Sequence, residues 1–408
     1  MSRPRRIGLI MQGGSGWVGG SEYIGNLIAA WATLPAETRA RFELCLISKQ
    51  PLDPAFAARL DPHLACRYAL SEVLAAPTFA RQARWFIDRT VLGRANSRFA
   101  RFIAAERFDL LYPLTYDNRS NLGVTLPIAH ELACRWVGWI PDFQHRYLPE
   151  LFSERELASR KTGIETLCRE APAIVFSSQC AVDDYRKFHP DAAARPELLH
   201  FCTSAPAAWF EGNPAAVQAQ FHLPERFVLV SNQFWQHKNH LVVFDAIAAL
   251  KARGIVVNVV CTGQTSDNRN RDYINTVLRR IHELGIAPQV FLLGLIERAE
   301  QIQLMRRSLA VVQPSLFEGW STVLEDARAL GKTIFASDIG VHREQDVPGA
   351  RFFDPASAES LADNLAAAWP TLEPGPDLPR EREARERLEQ AVPAYGRRFL
   401  EIVEAALR

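Results

Sequence analysis

Two glutamates, a lysine and a glycine-rich loop supply the residue types in this chain that could hold a polar, negatively charged ligand. Glu318 and Glu325 lie in the run QPSLFEGWSTVLEDARALGK, in which Pro314 and Gly319 favour a turn and Gly331 ends a helix that starts near Val323. The backbone amides of Gly319, Trp320, Ser321 and Thr322 would then crowd a helix N-terminus, where partial positive charge collects. Glu318 enters that place from the loop and Glu325 from the first helical turn, so both carboxylates could face one ligand rich in hydroxyls. A second run, SNQFWQHKNH, puts Lys238 just ahead of a helix whose N-cap is Asn239. A cation beside free helix amides suits a diphosphate. A third loop, Gly13-Gly14-Ser15-Gly16-Trp17-Val18-Gly19-Gly20, precedes a helix expected over Glu22–Trp31 with Ser21 as its N-cap. Gly14, Gly16 and Gly19 satisfy GxGxxG, so an NAD(P)-dependent oxidoreductase is a rival reading. Two features stand against it: Gly20 and Ser21 delay the helix, and the second strand closes on Ser48-Lys49 with no carboxylate for a ribose.

These loops need strands to carry them. Short apolar runs alternate with helical patterns, as in α/β domains with parallel sheets. The first series comprises Ile7–Met11, Phe42–Ser48, Leu110–Tyr112, Trp136–Ile140 and Ala173–Ser177. The second comprises Phe227–Ser231, Val256–Cys261, Val290–Leu293, Ala310–Gln313 and Thr333–Ala336, with helices such as Leu241–Lys251 and Asp272–Leu284 between. The proline- and glycine-bearing stretch between the two series reads as a connection. The expected division is residues 1–205, a linker at 206–224, a second domain at 225–385 and a terminal helix at 386–408. That helix carries Val392, Tyr395, Phe399, Ile402, Val403 and Ala406 at helical spacing and should dock on the first domain.

Composition narrows the function classes. Forty-seven basic against 46 acidic residues leave a net charge of +1, too little to hold a nucleic acid by its overall field. The seven cysteines are scattered and never spaced CxxC, and His237 and His240 lack partners at ligand spacing, so neither metal nor a disulfide framework is expected. A reducing, cytoplasmic setting fits best. The apolar run after the basic opening breaks at Gln12, which argues against a signal peptide, and no stretch approaches the ~18 apolar residues of a membrane span. Residues 79–108 set seven arginines against Asp88 and Glu106 among apolar side chains. That tract suits peripheral contact with an anionic membrane, or a core-packing helix with a basic face.

The two-glutamate run and SNQFWQHKNH resemble the donor-site signatures of the retaining nucleotide-sugar glycosyltransferases of family 4, the glycosyl transferases group 1. The resemblance is strongest from Phe227 to Phe353. It implies the GT-B fold, two Rossmann-like domains facing a cleft, and transfer of a sugar from a nucleoside diphosphate to an acceptor hydroxyl without metal or cofactor. It also implies Glu325 on the donor ribose, Glu318 on the donor sugar and Lys238 on the diphosphate; Gly14 and Gly16, whose loop lets backbone amides approach a phosphate or sugar, are expected at the donor as well. WIPDFQH resembles the acceptor-side segment and gives that role to Asp142 and His145, with His145 among the catalytic groups; Ser21, after the glycine-rich loop, is expected on the acceptor side too. The acceptor implied is a glycan or lipid-linked glycan of cell-surface polysaccharide assembly. Two departures stand out: Glu318 and Glu325 enclose six residues where seven are usual, and Gln233 occupies the place of an arginine. Arg279, Arg280, Arg306 and Arg307 are candidates to replace that cation, and a binding module without catalysis is the alternative from another class.

Overall fold

The computed structural model describes residues 3–14, 18–74, 97–117, 122, 131–267 and 269–408. The chain forms two compact units. One comprises Met1–Phe143, Glu154–Cys202 and Ala391–Arg408, and the other Gln144–Ser153 and Thr203–Gln390.

The first unit holds a seven-stranded sheet of β1 (Arg5–Ile10), β2 (Phe42–Ser48), β3 (Cys66–Ala69), β4 (Leu110–Leu114), β5 (Arg135–Trp139), β6 (Ala173–Phe176) and β7 (Arg195–Leu198). Their order is β3-β2-β1-β4-β5-β6-β7 and all pairs are parallel. The second unit holds β8 (Phe227–Ser231), β9 (Asn258–Thr262), β10 (Val290–Gly294), β11 (Ala310–Gln313), β12 (Ile334–Ser337) and β13 (Arg351–Phe353), in the order β10-β9-β8-β11-β12-β13, again parallel. Every residue of β8, β11 and β12 is buried, because helices cover both faces of a parallel sheet. This is why those strands read as unbroken apolar runs. β3, β7 and β13 are edge strands with half-exposed side chains, and they lack the apolar run by which the others were found.

The stretch 206–224, expected as a linker, instead carries the helices Ala208–Glu211 and Pro214–Gln220 within the second unit. The terminal helix begins earlier than expected and spans Leu378–Leu407. Its C-terminal part packs on the first unit as expected, with Phe399 fully buried against Trp31 and Tyr112. Of the basic tract, residues 79–96 lie outside the described region. The described helix Ser97–Ala105 buries Phe99, Phe102 and Ile103 in the core, so its apolar stripe is covered by protein. No described helix is long and apolar enough to cross a membrane.

Candidate donor site

In each sheet the chain builds outward on one side and then crosses to the other. In the second unit the crossing lies between β8 and β11, and in open parallel sheets ligands bind beyond the carboxyl ends of the strands at such a crossing. Both loops picked out in the sequence leave the sheet at that point and are stitched together. Asn232 Nδ2 donates to Gln313 Oε1 (2.8 Å), and the Leu316 amide donates to the His237 carbonyl (2.8 Å). Asn239 stands at the N-cap position with φ 56°, but its side chain makes no cap; it donates to the carbonyls of Pro314 (3.1 Å) and Pro355 (2.9 Å).

This stitching brings Lys238 onto Glu318, Nζ to Oε1 at 2.6 Å. Gln313 Nε2 (3.0 Å) and Ser315 Oγ (2.7 Å) donate to the same oxygen. Neither side chain is more than 16% exposed, so the pair attracts at a lower effective dielectric than water provides.

Glu325 belongs to a different network. The helix Thr322–Ala329 is capped by Ser321, whose Oγ accepts from the Leu324 amide. Glu325 sits in its first turn, 2% exposed, and accepts from Gln345 Nε2 at 3.0 Å, with Arg328 at 3.5 Å. Burial raises its carboxyl pKa above the usual carboxylate range, against the pull of Arg328, Gln345 and Trp320. Gln345, which sequence reasoning passed over, also accepts from the Ser321 amide and donates to its carbonyl, each at 3.0 Å. The Ser321 amide, expected to bind ligand, is thus already in use. Gly319 and Trp320 are half-buried in the turn, and Thr322 opens the helix.

None of the four arginines proposed to replace the missing cation lies free for it. Arg306 is buried on Glu381 (2.7 Å), Arg280 pairs with Asp245 (2.7 Å), and Arg279 with Glu283 (3.8 Å). Arg307 donates to Gln218 and the Gly375 carbonyl. Arg269, which the sequence did not single out, is different. Its guanidinium lies 5.3 Å from the ring centre of Trp235 and 4.8 Å from that of Phe152, donates to Gln144 Oε1 (3.2 Å), and has no carboxylate partner among the described residues. It reaches the Gln233–Lys238 loop because Gly263 (φ 130°) lets the chain after β9 lie against Asn232, whose carbonyl would be 2.3 Å from any Cβ there.

The acceptor-side residues divide between the units. Asp142 lies in the first and faces Arg160 at 3.7 Å. His145 lies in the second, 8% exposed in the short helix Gln144–Tyr147, so it is not a surface histidine. Tyr147 of that helix stacks on Phe317, ring centres 5.4 Å apart, which seats the segment on the Glu318 loop. Ser21 is no N-cap: its helix starts at Val18, one turn earlier, and its Oγ donates back to the Gln12 carbonyl at 3.3 Å. Gly19 therefore does lie inside the helix, which removes one of the two arguments against a dinucleotide fingerprint; the missing carboxylate after β2 remains. Gly13 and Gly14 both have positive φ (76° and 136°), while Gly16 lies outside the described residues. Among the described residues no cluster of side chains could hold a metal.

Residues 216–370 match the family "Glycosyl transferases group 1". The matched stretch contains Gln233, Lys238, Arg269, Glu318 and Glu325. No curated protein matches the chain. Among solved structures, HepE of Anabaena in complex with UDP and glucose is 18% identical, with TM-score 0.67 over 98% of this chain and 99% of that one. Sucrose-phosphate synthase from Thermosynechococcus elongatus is 17% identical, TM-score 0.69, over 98% and 100%. A glycosyltransferase from Rickettsia africae is 14% identical, TM-score 0.67, over the whole of both chains (100% each). The fold is GT-B, and the domain match with that fold supports a glycosyltransferase.

Proposed function

We propose that this chain transfers a sugar from a nucleoside-diphosphate sugar to an acceptor hydroxyl with retention at the anomeric carbon and without a metal. The reading is carried by the Lys238–Glu318 pair at the strand crossing of the second unit, inside the matched family region. On donor binding Lys238 turns from Glu318 to the diphosphate, and Arg269 supplies the second cation that Gln233 lacks. Glu318, released, accepts from hydroxyls of the donor sugar, and Glu325 accepts from the ribose. The leaving phosphate oxygen takes the acceptor proton while Lys238, Arg269 and the amides after Glu318 stabilise the charge growing on it. His145, seated on the Glu318 loop through Tyr147 and Phe317, contacts the transferred sugar or the acceptor. UDP is the first nucleotide to try, since HepE was solved with it; a glycan or lipid-linked glycan is the acceptor class.

A thermal-shift screen against UDP, GDP, ADP and their sugars, followed by NMR of the product anomer, tests the reading. Stabilisation by a nucleoside diphosphate and a retained anomer, unaffected by excess EDTA, is expected. An inverted anomer or EDTA-abolished activity overturns the mechanism, and silence toward every nucleotide overturns the donor site.

A further inference from the structure

Cys45 and Cys66 are 21 positions apart in the chain, but β2 and β3 pair with Cys45 directly opposite Cys66. Partners in register on neighbouring parallel strands share one face of the sheet, and their backbones are about 4.8 Å apart. That lies within the roughly 4.4–6.8 Å between Cα atoms that a disulfide spans. Both cysteines are free; Cys45 is buried and Cys66 half-buried on the edge strand.

A single guanidinium serves both sulfurs. Arg6, on the adjoining β1, directs Nε to Cys45 Sγ at 3.4 Å and an Nη to Cys66 Sγ at 3.2 Å. The same Nη donates to Tyr68 Oη at 2.7 Å, and the Tyr68 hydroxyl donates to Glu106. The charged groups facing the sulfurs are thus Arg6 and its two carboxylate partners, Glu106 at 3.1 Å and Glu43 at 3.5 Å. A thiolate is the form of cysteine that attacks oxidants and electrophiles, and a neighbouring cation favours it.

We propose that Cys66 and Cys45 form a reactive dithiol that takes hydroperoxides as its oxidant class and closes a disulfide between β3 and β2. The Cys66 thiolate attacks the terminal peroxide oxygen: an S–O bond forms, the O–O bond breaks, and the departing alkoxide or hydroxide takes a proton from water. Cys45 then attacks the Cys66 sulfenic acid; the S–S bond forms, the S–O bond breaks, and the hydroxide leaves as water with the Cys45 proton. Two thiols lose two electrons and the peroxide gains them. Hydrogen bonding with Cys45, and with Tyr68 and Arg6, holds the Cys66 thiol down to about 6, while burial pushes Cys134 and Cys168 up to about 12. The site stands apart from the donor-binding loops and does not depend on the glycosyltransferase reading.

Iodoacetamide labelling of the intact protein across pH, read cysteine by cysteine by peptide mass spectrometry, is the test. Cys66 should label first, about tenfold faster than Cys134 or Cys168 at mildly acidic pH. Hydrogen peroxide should yield a Cys45–Cys66 cross-linked peptide reversed by dithiothreitol. Cys45→Ser should instead leave a Cys66 sulfenic acid trapped by dimedone, and Arg6→Gln should raise the labelling midpoint toward the free-thiol value of about 8.5. If Arg6→Gln does not fold, Tyr68→Phe, which keeps the ring, should raise it by a smaller step. A wild-type midpoint near the free-thiol value overturns the proposal, as does peroxide joining other cysteines.

Discussion

The two sheets share a topology and differ in what fills the crossing. On the face of the first unit's sheet, beside β1 and β4, the groups are aromatic and neutral: the Tyr23 and Tyr112 hydroxyls hydrogen-bond to each other, and Tyr23 stacks on Trp139 at 4.5 Å. Burial raises the pKa of both tyrosines, so they carry no charge at neutral pH. The loops that leave β8 and β11 instead bring together Lys238, Glu318, Gln313 and Ser315. One arrangement of strands therefore supports both a packed aromatic joint and a largely buried charged cluster. Topology supplies the frame, and side chains decide whether charge gathers on it.

The largest expected effect lies at the charged cluster. Lys238→Ala removes the cation and leaves Glu318 without its partner. Charge-assisted hydrogen bonds contribute roughly 1.5–3 kcal/mol, so kcat/KM for the sugar donor should fall about tenfold to a hundredfold. Tyr23→Phe at the neutral crossing should leave donor affinity unchanged. Equal losses in steady-state kinetics of both variants would erase the contrast between the crossings.

Glu325→Gln should weaken donor binding by about tenfold, since a carboxylate accepting from ribose hydroxyls becomes an amide. Calorimetry with the nucleoside diphosphate and with the free base separates a ribose effect from a general loss of the site.

Arg269→Ala should loosen the nucleoside diphosphate by a smaller, severalfold factor. Adding Gln233→Arg to that variant should restore much of the affinity, and Gln233→Arg alone should change little. If Gln233→Arg alone tightens binding strongly by calorimetry, Arg269 is not the second cation.

Acid distinguishes the units more gently. Every buried histidine among the described residues (His145, His237, His240, His342) belongs to the second unit. Burial lowers His240 to about 3 and His342 to about 4. Their folded forms refuse protons that the unfolded chain accepts below about 6.5, so stability present above that pH is lost as pH falls toward 4. Calorimetric scans from pH 7 to about 5 should show the second unit's transition falling faster than the first's, with a shallower fall in His342→Gln. Parallel decline of both transitions would contradict this.

Much of the fold was legible in the sequence because buried parallel strands must be apolar on both faces. β2, β8 and β11 have the expected limits to the residue. β3, β7 and β13 escaped because each is only three or four residues long and interrupts its apolar residues with arginine, proline or glutamate, whereas the equally half-exposed edge strand β10 keeps the apolar run Val290–Leu293 and was found. Ser21 misled because a serine before an acidic residue suits a cap, whereas Gly19 and Gly20 join the helix instead.

Residue type and local spacing by themselves determined the two loop signatures, Lys238 with Asn239 in one and Glu318 with Glu325 in the other, since turn formers and helix starts act over a few residues. Strand adjacency decided the rest. It set Lys238 on Glu318 across 80 positions, gave Glu325 its clamp in Gln345, and left Arg269 rather than Arg306 without a carboxylate. It also put Cys45 opposite Cys66. Such pairings follow from which strands are neighbours and in what register, and both are properties of the packed sheet that no local stretch of the chain encodes.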